Sequence, residues 1–265
     1  MHACRRKALP ALLLGLLLGA GSAVVQAADY VPVPAGSLRS VLVSDADPGP
    51  VAVASYAMRA TPVTRAEYAA FLAAQPQWQR ETAPLVFASP GYLAHWGAAA
   101  DAGASASLTA PVTEVSWFAA KAFCASEGGR LPSWVEWEYA AAADATRADA
   151  RDDPAWLARI LGWYGRPADG PLPAVGGAAN FYGVHDLHGV VWEWVDDFNA
   201  LLVDADSRAG DDPDRLKFCG AGAISFKDRA NYAVLMRIAL LSSLKAADST
   251  SSLGFRCVRA EGATP

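Results

Sequence analysis

Residues able to bind metals or transfer protons gather in one short segment, Tyr182–Trp194. His185 and His188 stand three positions apart, with Asp186 between them. This spacing permits copper or zinc binding, but histidines of a turn are more commonly satisfied by hydrogen bonds. Glu193 lies between two tryptophans, where an unpaired carboxylate would carry a desolvation cost. The segment therefore predicts either a cation site or a set of paired polar side chains.

The second alternative needs no ion. Asp186 would cap its turn, and Glu193 would pair with an arginine such as Arg256 or Arg130. No serine lies in a nucleophile-elbow pattern, and the chain has no phosphate loop or dinucleotide fingerprint. Residues 196–197 are two aspartates, predicted to be solvated charges at a strand end, with a place in a cleft wall as the alternative.

The cysteines are Cys4, Cys124, Cys219 and Cys257. Cys4 lies in a predicted leader, so three single pairings of the others are possible. Cys219 precedes a glycine-containing turn, where backbone N–H groups could lower its pKa and make it a reactive thiol or a copper ligand. The alternative is an inert cysteine filling a small space.

The first residues have the pattern of an export signal. A basic start is followed by the apolar run Leu9–Val25 and a small-x-small site, which predicts cleavage after Ala27. We therefore expect a periplasmic protein in which disulfides are permitted. The alternative is an uncleaved anchor helix. The expected organisation is a signal peptide over 1–27, one domain over 28–260 and a disordered tail over 261–265.

The charge of the chain argues against two classes of partner. The formal net charge is −5, and it becomes −8 if residues 1–27 are removed. An acidic chain without a basic cluster is not expected to bind nucleic acid or, after signal cleavage, a membrane. We expect a monomer. The nine tryptophans suit a fold in which large rings fill the space between loops.

Capping patterns predict three helices that would position these side chains. Thr64 with Glu67, and Ser133 with Glu136, form capping boxes, and Ser116 is a single N-cap. The predicted helices begin after Thr64, Ser116 and Ser133, and the second and third end at Glu127 and about Ala143. Strands are predicted at Tyr30–Pro34, Val51–Met58, Val190–Val195 and Phe255–Arg259. Two irregular stretches, Gln75–Ala110 and Asp144–Ala179, are the expected walls of a cleft.

Four blocks in a fixed order carry a family resemblance. They begin at Pro62 (PVTRAEYAAF), Pro111 (PVTEVSWFAAKAFCASEGGRLPSWVEWEYAA), Tyr182 (YGVHDLHGVVWEW) and Leu253 (LGFRC). Together they resemble the sulfatase-modifying-factor family, whose founding member is the formylglycine-generating enzyme. The resemblance implies an α+β fold related to C-type lectins, with little regular secondary structure. It also implies a disulfide between Cys124 and Cys257.

The resemblance implies a calcium site in the third block. The family pattern assigns side-chain oxygens to Asp186 and Glu193 and backbone carbonyls to Gly189 and Val191. Ca²⁺ takes six to eight hard oxygen ligands, which such a turn can supply.

Departures from the family pattern decide the predicted function. The family's oxidising enzymes hold copper on two cysteines spaced Cys-x4-Cys, and thiolates suit Cu(I) because both are soft. Here no cysteine lies between Ala223 and Arg256, and the His-x3-His spacing of the ergothioneine-type branch is also missing. Formylglycine production is therefore not expected.

Three segments resemble the corresponding sequences of accessory proteins linked to copper nitrite reductase. They are HGVVWEWVDDFN, FCGAG and ANYAVLMR…SSL. We expect a non-catalytic accessory or maturation factor for another exported protein. One alternative is an oxidase that uses Cys219 with a metal such as copper. Another is a lectin-like binding module.

Overall fold

A computed structural model describes residues 28–40, 49–96, 107–165, 170–201 and 232–262. Helices and short strands are mixed along the chain, as the α+β prediction requires. The predicted leader, most of the predicted tail, Cys219 and its turn lie outside the described residues. Within the described ranges, no helix is both long enough and apolar enough to cross a bilayer.

A three-stranded antiparallel sheet joins the two ends of the described chain. Its order is β1 (Tyr30–Val33), β4 (Tyr56–Arg59) and β7 (Val258–Ala260), with β4 in the centre. The predicted single strand Val51–Met58 is wrong, because β3 (Val51–Val53) pairs instead with β2 (Gly36–Leu38). The chain leaves that two-stranded sheet before it enters the central one.

The strands around the third and fourth blocks are shorter than predicted. β5 (Trp192–Glu193) pairs in parallel with β6 (Leu253–Gly254). A Cβ atom on Gly254 would lie 2.5 Å from the carbonyl oxygen of Val112, so this close approach requires glycine. The predicted strand Phe255–Arg259 is wrong in its first part, because β7 begins only at Val258. The carbonyls of Phe255 and Cys257 still accept from the backbone N–H groups of Val63 and Arg59.

The three predicted helix starts are confirmed. α1 (Arg65–Ala74) has the Thr64–Glu67 capping box, α2 (Trp117–Ser126) has its cap at Ser116, and α3 (Trp134–Ala141) has the Ser133–Glu136 capping box. α1 buries Tyr68, Phe71 and Leu72, the apolar stripe at i, i+3 and i+4. α3 ends two residues before the predicted position.

Two further helices were not predicted. α4 (Pro154–Tyr164) lies inside the stretch predicted to be irregular, and its cap Asp153 accepts from two backbone N–H groups. An aspartate before a proline is a strong helix start, because proline suits the first helical position. α5 (Tyr232–Ser242) follows the part of the chain that is not described and contacts α4.

Cys124 and Cys257 form a disulfide, the pairing that the resemblance implies. Their Cα atoms are 5.4 Å apart, and the bond ties α2 to the chain before β7. Beside it, the ring of Phe123 contacts those of Tyr68, Phe71 and Phe255 at centroid distances of 5.3–5.9 Å. This aromatic cluster and the disulfide form the centre of the core.

Candidate functional site

The carboxylate of Glu193, on β5, is completely buried and fully paired. Arg256 donates to both of its oxygens, from Nε to Oε2 at 2.9 Å and from Nη2 to Oε1 at 2.8 Å. The indole of Trp137 on α3 donates to Oε2 at 2.7 Å. Three donors therefore satisfy a charge that could not be buried alone.

Arg256 connects three parts of the chain through its remaining donors. Its Nη2 donates to the carbonyl of His185 at 2.8 Å, and Nη1 donates to the carbonyl of Arg59 at 3.2 Å and, at 3.4 Å, to that of the next residue. The side chain is 0% exposed. The ion pair thus joins the end of β4, the turn of the third block and β5.

A second buried arginine lies against the backbone of Glu193. Arg237 of α5 is 1% exposed, donates to the backbone carbonyl of Glu193, and lies 3.6 Å from the ring centroid of Trp137. Burial lowers the pKa of Arg237 to about 10, against a raising effect from Glu193. It therefore stays charged at neutral pH, stabilised by the indole face and by the carboxylate.

Glu138, also on α3, is the other buried acid of this region. It accepts hydrogen bonds from the hydroxyl of Ser40 and the indole of Trp134, both at 2.7 Å. Arg151 approaches it at 3.5 Å. Glu138 is thus paired with Arg151 and hydrogen-bonded, as burial of a charge in a low-dielectric interior demands.

Asp186 caps its turn. It adopts the left-handed conformation, with φ 60°, and accepts from the backbone N–H groups of Gly176 at 2.6 Å and Gly177 at 3.1 Å. A Cβ atom on Gly177 would lie 2.7 Å from Oδ1 of Asp186, so glycine is required for this contact. The Nδ1 of His185 bonds to the Gly177 carbonyl.

These contacts do not fit the predicted calcium ligand set of Asp186, Gly189, Val191 and Glu193. Both Glu193 oxygens face N–H donors, and one donor group is a guanidinium that already supplies the positive charge. Both Asp186 oxygens face backbone N–H groups. Arg130 pairs with Glu136 and not with Glu193, so Arg256 is the arginine of the paired alternative. Calcium binding stays a prediction.

His188 lies against two indoles. Its ring meets those of Trp137 and Trp156 edge-on, each at a centroid distance of 5.6 Å, and Nε2 bonds to the carbonyl of Ala141 at 3.0 Å. Burial lowers the pKa of His188 to about 4, and nearby arginines add to the effect. The ring is neutral at pH 7. No cluster of three or more His, Cys, Asp or Glu suited to a metal occurs within the described ranges.

The two aspartates after the third block have different roles. Asp196 pairs with Lys121 at 2.9 Å at the surface, as expected for a solvated charge. For Asp197 the prediction is wrong: its Oδ1 accepts from the backbone N–H of Trp134 at 2.7 Å, the first residue of α3, and burial raises its pKa. It is a helix-terminus anion, where the helix dipole favours negative charge.

Two long stretches were predicted to form the walls of one cleft. In the structure they contribute to two separate cavities. Residues of 144–179 contribute to a cavity of about 480 Å³ together with His188. Residues of 80–92 line another cavity, of about 230 Å³.

Three members of the buried cluster were not predicted from the sequence: Trp137, Glu138 and Arg237. The first two belong to the second block but carried no signal of their own. Arg237 did carry one, because it is the single charged residue in the apolar run Tyr232–Ser242. A charge in such a run is seldom buried without a partner.

The sequence model of the sulfatase-modifying factor enzyme 1-like domain matches residues 19–261. The chain therefore belongs to this family. It is 33% identical over 164 residues to the hercynine oxygenase of Mycolicibacterium smegmatis, covering 54% of this chain and 37% of that one. It is 33% identical over 187 residues to the formylglycine-generating enzyme of Streptomyces coelicolor, covering 62% of this chain and 58% of that one.

A third relative is the inactive C-alpha-formylglycine-generating enzyme 2 of Bos taurus. It is 29% identical over 174 residues, and the match covers 60% of this chain and 53% of that protein. The chain thus spans less than two thirds of the length of each of these relatives, which carry different activities or none. Family membership alone does not assign a reaction to this chain.

Proposed function

We propose that this chain is a non-catalytic member of the family, exported to the periplasm, that acts as an accessory or maturation factor for another exported protein. The client indicated by the subgroup resemblance is copper nitrite reductase. In this proposal the domain has the C-type-lectin-like fold implied by the resemblance, a scaffold on which function depends on the site and not on the fold.

The disulfide carries this proposal. Cys124 and Cys257 are bonded to each other, so neither can act as a thiolate ligand. Of the other two cysteines in the sequence, Cys4 lies in the predicted leader, which leaves Cys219. The family's oxidising site needs two thiolates for copper, and one thiol cannot replace the pair. The inactive relative is consistent with this conclusion.

An aldehyde assay tests the catalytic part. Purified protein from residue 28 onward, loaded with Cu(I), would be incubated with a cysteine-containing sulfatase peptide in air. We expect no formylglycine, while a copper-loaded formylglycine-generating enzyme converts the same peptide. Aldehyde formation by this chain would overturn the proposal, and its loss in Cys219→Ala would favour the oxidase described below.

A binding and loading assay tests the accessory part. Copper nitrite reductase from the same organism would be expressed with and without this chain, and its copper content and activity measured. We expect lower copper occupancy without the chain, and a complex between the two purified proteins. Unchanged occupancy together with no complex would remove this client from the proposal.

The second candidate is a thiol- or metal-dependent oxidase that uses Cys219. It is favoured by the disulfide between Cys124 and Cys257, because that bond leaves Cys219 as the remaining cysteine after the predicted leader. It predicts tight copper binding by the reduced protein that is lost in Cys219→Ala. This candidate requires a free Cys219, which thiol counting under denaturing conditions tests. For the protein from residue 28 onward, we expect one free thiol before reduction and three after it.

A further inference from the structure

Three consecutive apolar side chains project from a turn over residues 84–87, which follows α1 and is called the apolar turn below. Leu85 is 76% exposed, Val86 is 69% exposed and Phe87 is 39% exposed. Exposed apolar residues are ordinary when they stand singly, but adjacent ones mark an interaction surface. None of the motifs of the sequence analysis assigned a partner to this turn.

Hydrogen bonds fix the backbone of the apolar turn. The carbonyl of Pro84 accepts from the backbone N–H groups of Phe87 at 2.8 Å and of Ala88 at 3.0 Å. Ala88 is buried, so the turn is held against the core at its C-terminal end. The exposure of Leu85 and Val86 therefore belongs to a defined conformation and not to a loose loop.

A row of aromatic rings continues from the apolar turn across the surface. The ring of Phe87 contacts that of Phe118 at a centroid distance of 5.1 Å and that of Trp78 at 6.3 Å. Phe118 in turn contacts Trp117 at 5.3 Å. All four side chains are exposed or only partly buried. Tryptophan is enriched where an apolar phase meets water, because its ring is apolar and its N–H is polar.

The charges beside the turn and the aromatic row balance one another. Arg80 lines the cavity of about 230 Å³ next to the turn and donates to the carbonyl of Ala94 at 3.0 Å, and Glu81 is the exposed acid beside it in the sequence. Lys121 lies with Nζ 4.6 Å from the centroid of the last ring of the row and pairs with Asp196 at 2.9 Å. This face thus carries no excess of negative charge, although the formal net charge of the chain is −5.

The shape of the apolar turn favours a fluid partner over a folded one. Its two hydrogen bonds are those of a single helical turn, in which successive side chains lie about 100° apart. Leu85 and Val86 therefore protrude in different directions. A rigid protein groove would cover one of these directions, whereas acyl chains can surround a protruding tip from every side.

We propose that the apolar turn inserts into the surface of a phospholipid bilayer and holds the protein there reversibly. Leu85 and Val86 would enter the acyl region, the aromatic row would lie at the level of the headgroups, and Arg80 and Lys121 would extend towards water. Net charge governs electrostatic attraction at a distance, so the acidity of the whole chain does not oppose apolar insertion at a face whose charges balance. The proposal is independent of the accessory function, because it involves neither the cysteines nor a client.

Co-sedimentation with lipid vesicles tests the proposal. The protein from residue 28 onward contains every described residue and omits the apolar run Leu9–Val25, which would insert by itself. One set of vesicles holds phosphatidylethanolamine with a minor share of phosphatidylglycerol, and the other holds phosphatidylcholine alone. We expect binding to both at millimolar lipid, and binding that persists in high salt, because apolar insertion is not screened. Binding to neither set, or binding that needs phosphatidylglycerol and disappears in salt, would overturn the proposal.

A double variant locates the contact. Leu85→Ser with Val86→Ser should weaken vesicle binding at least about 10-fold, because the inserted apolar area is lost. Both side chains are exposed, so the melting temperature should stay that of the wild type. Leu108→Ser is the matched control: this leucine is 55% exposed, and its carbonyl bonds to the N–H of Ala66 at the start of α1. The apolar turn follows the other end of that helix, about 15 Å away. Equal binding by the double variant and the control would contradict the assignment.

A variant with increased affinity separates insertion from misfolding. Val86→Trp should strengthen vesicle binding at least about 3-fold, because tryptophan favours the membrane interface. A folded Val86→Trp protein that binds no better than the wild type would count against insertion. Sedimentation of the protein alone, and with other exported proteins, covers the remaining occupants. If the double serine variant lost a complex with a second copy or with another protein while the wild type ignored vesicles, the turn would be a protein-docking surface and the proposal would be wrong.

Discussion

The partners of Glu193 explain why an acid can lie between Trp192 and Trp194. Its carboxylate is 0% exposed and is met by Arg256 and the indole of Trp137, while Arg237 holds the adjacent carbonyl. A buried pair of this kind adds little net stability over an apolar pair, but removal of one partner leaves the other charge buried and uncompensated. This residue is therefore sensitive whether or not an ion is bound nearby.

Glu193→Gln tests this statement directly. The change keeps the shape of the side chain but removes the charge that balances Arg256, so we expect a loss of about 3–5 kcal/mol in the free energy of unfolding. Asp196→Asn, which breaks the exposed pair with Lys121, is the matched control and should cost less than about 1 kcal/mol. Urea unfolding of both variants measures the difference. Equal losses in the free energy of unfolding would show that breaking the buried pair costs no more than breaking an exposed one.

Calcium gives a second test at the same residues. Because both carboxylates already face N–H donors, we expect the melting temperature to be the same in chelator and after Ca²⁺ is added. A rise with Ca²⁺ that disappears in Glu193→Gln would mean that the turn rearranges around an ion. The calcium site implied by the family resemblance would then be present.

His188 predicts a pH dependence. Its pKa falls from 6.5 in the unfolded chain to about 4 in the folded one, so the unfolded state binds the proton first as the pH drops. The stability contributed by the neutral ring is fully present above pH 6.5 and is lost as the pH falls towards 4, at up to about 1.4 kcal/mol per unit. His188→Gln should unfold with a shallower dependence between pH 6.5 and 4.5. Identical slopes for the two proteins would contradict the assignment.

Among the elements, α4 shows how a local signal positions part of a site. Asp153 accepts from the N–H groups of Ala155 and Trp156, and Pro154 occupies the first helical position. The helix then places Trp156, Arg159 and Ile160 along the wall of the larger cavity. The cap at the N-terminus of α4 therefore helps to fix the position of these cavity-lining side chains.

Asp153→Ala should destabilise the protein by about 1 kcal/mol, the usual cost of losing an N-cap. It also removes an ion pair with Arg147, which is half exposed and adds little. Asp153→Asn keeps the cap and loses the charge, so it should recover most of the stability. If Asn and Ala cost the same, the cap would not be the cause. Thermal unfolding measured by circular dichroism distinguishes these outcomes.

At the scale of the whole molecule, two connections hold the described chain together. The Cys124–Cys257 disulfide spans 133 positions in the sequence, and the Glu193–Arg256 pair joins β5 to the chain leading into β7. β4 and β7 are neighbours in the central sheet, so the N-terminal and C-terminal parts share one core. Both connections meet in the fourth block.

Replacement of Cys124 and Cys257 together by alanine should destabilise the protein by up to about 4–5 kcal/mol, because the unfolded chain regains the freedom of a long loop. The variant should retain the native circular dichroism spectrum if it folds. Comparison of the wild type with and without reductant, by urea unfolding, gives the same quantity without a substitution. A loss below about 1 kcal/mol in both measurements would contradict the loop-entropy argument.

Local interactions account for what could be predicted. The starts of α1, α2 and α3 were found because a capping side chain and its N–H partners lie within four residues of each other. α4 has an equally local signal in Asp153 and Pro154, although this helix was not predicted. The break between β3 and β4 had no such signal, because strand partners are chosen by distant chain segments.

The sequence by itself determined the family, the three capped helices and the number of cysteines, but not which of them are bonded to each other. Only the tertiary structure decided the state of the acids in the third block. Glu193 meets Trp137, Arg237 and Arg256, which are 44 to 63 positions away in the chain. The energy of a buried charge depends on which groups surround it in space, and residue types and their spacing do not specify that arrangement.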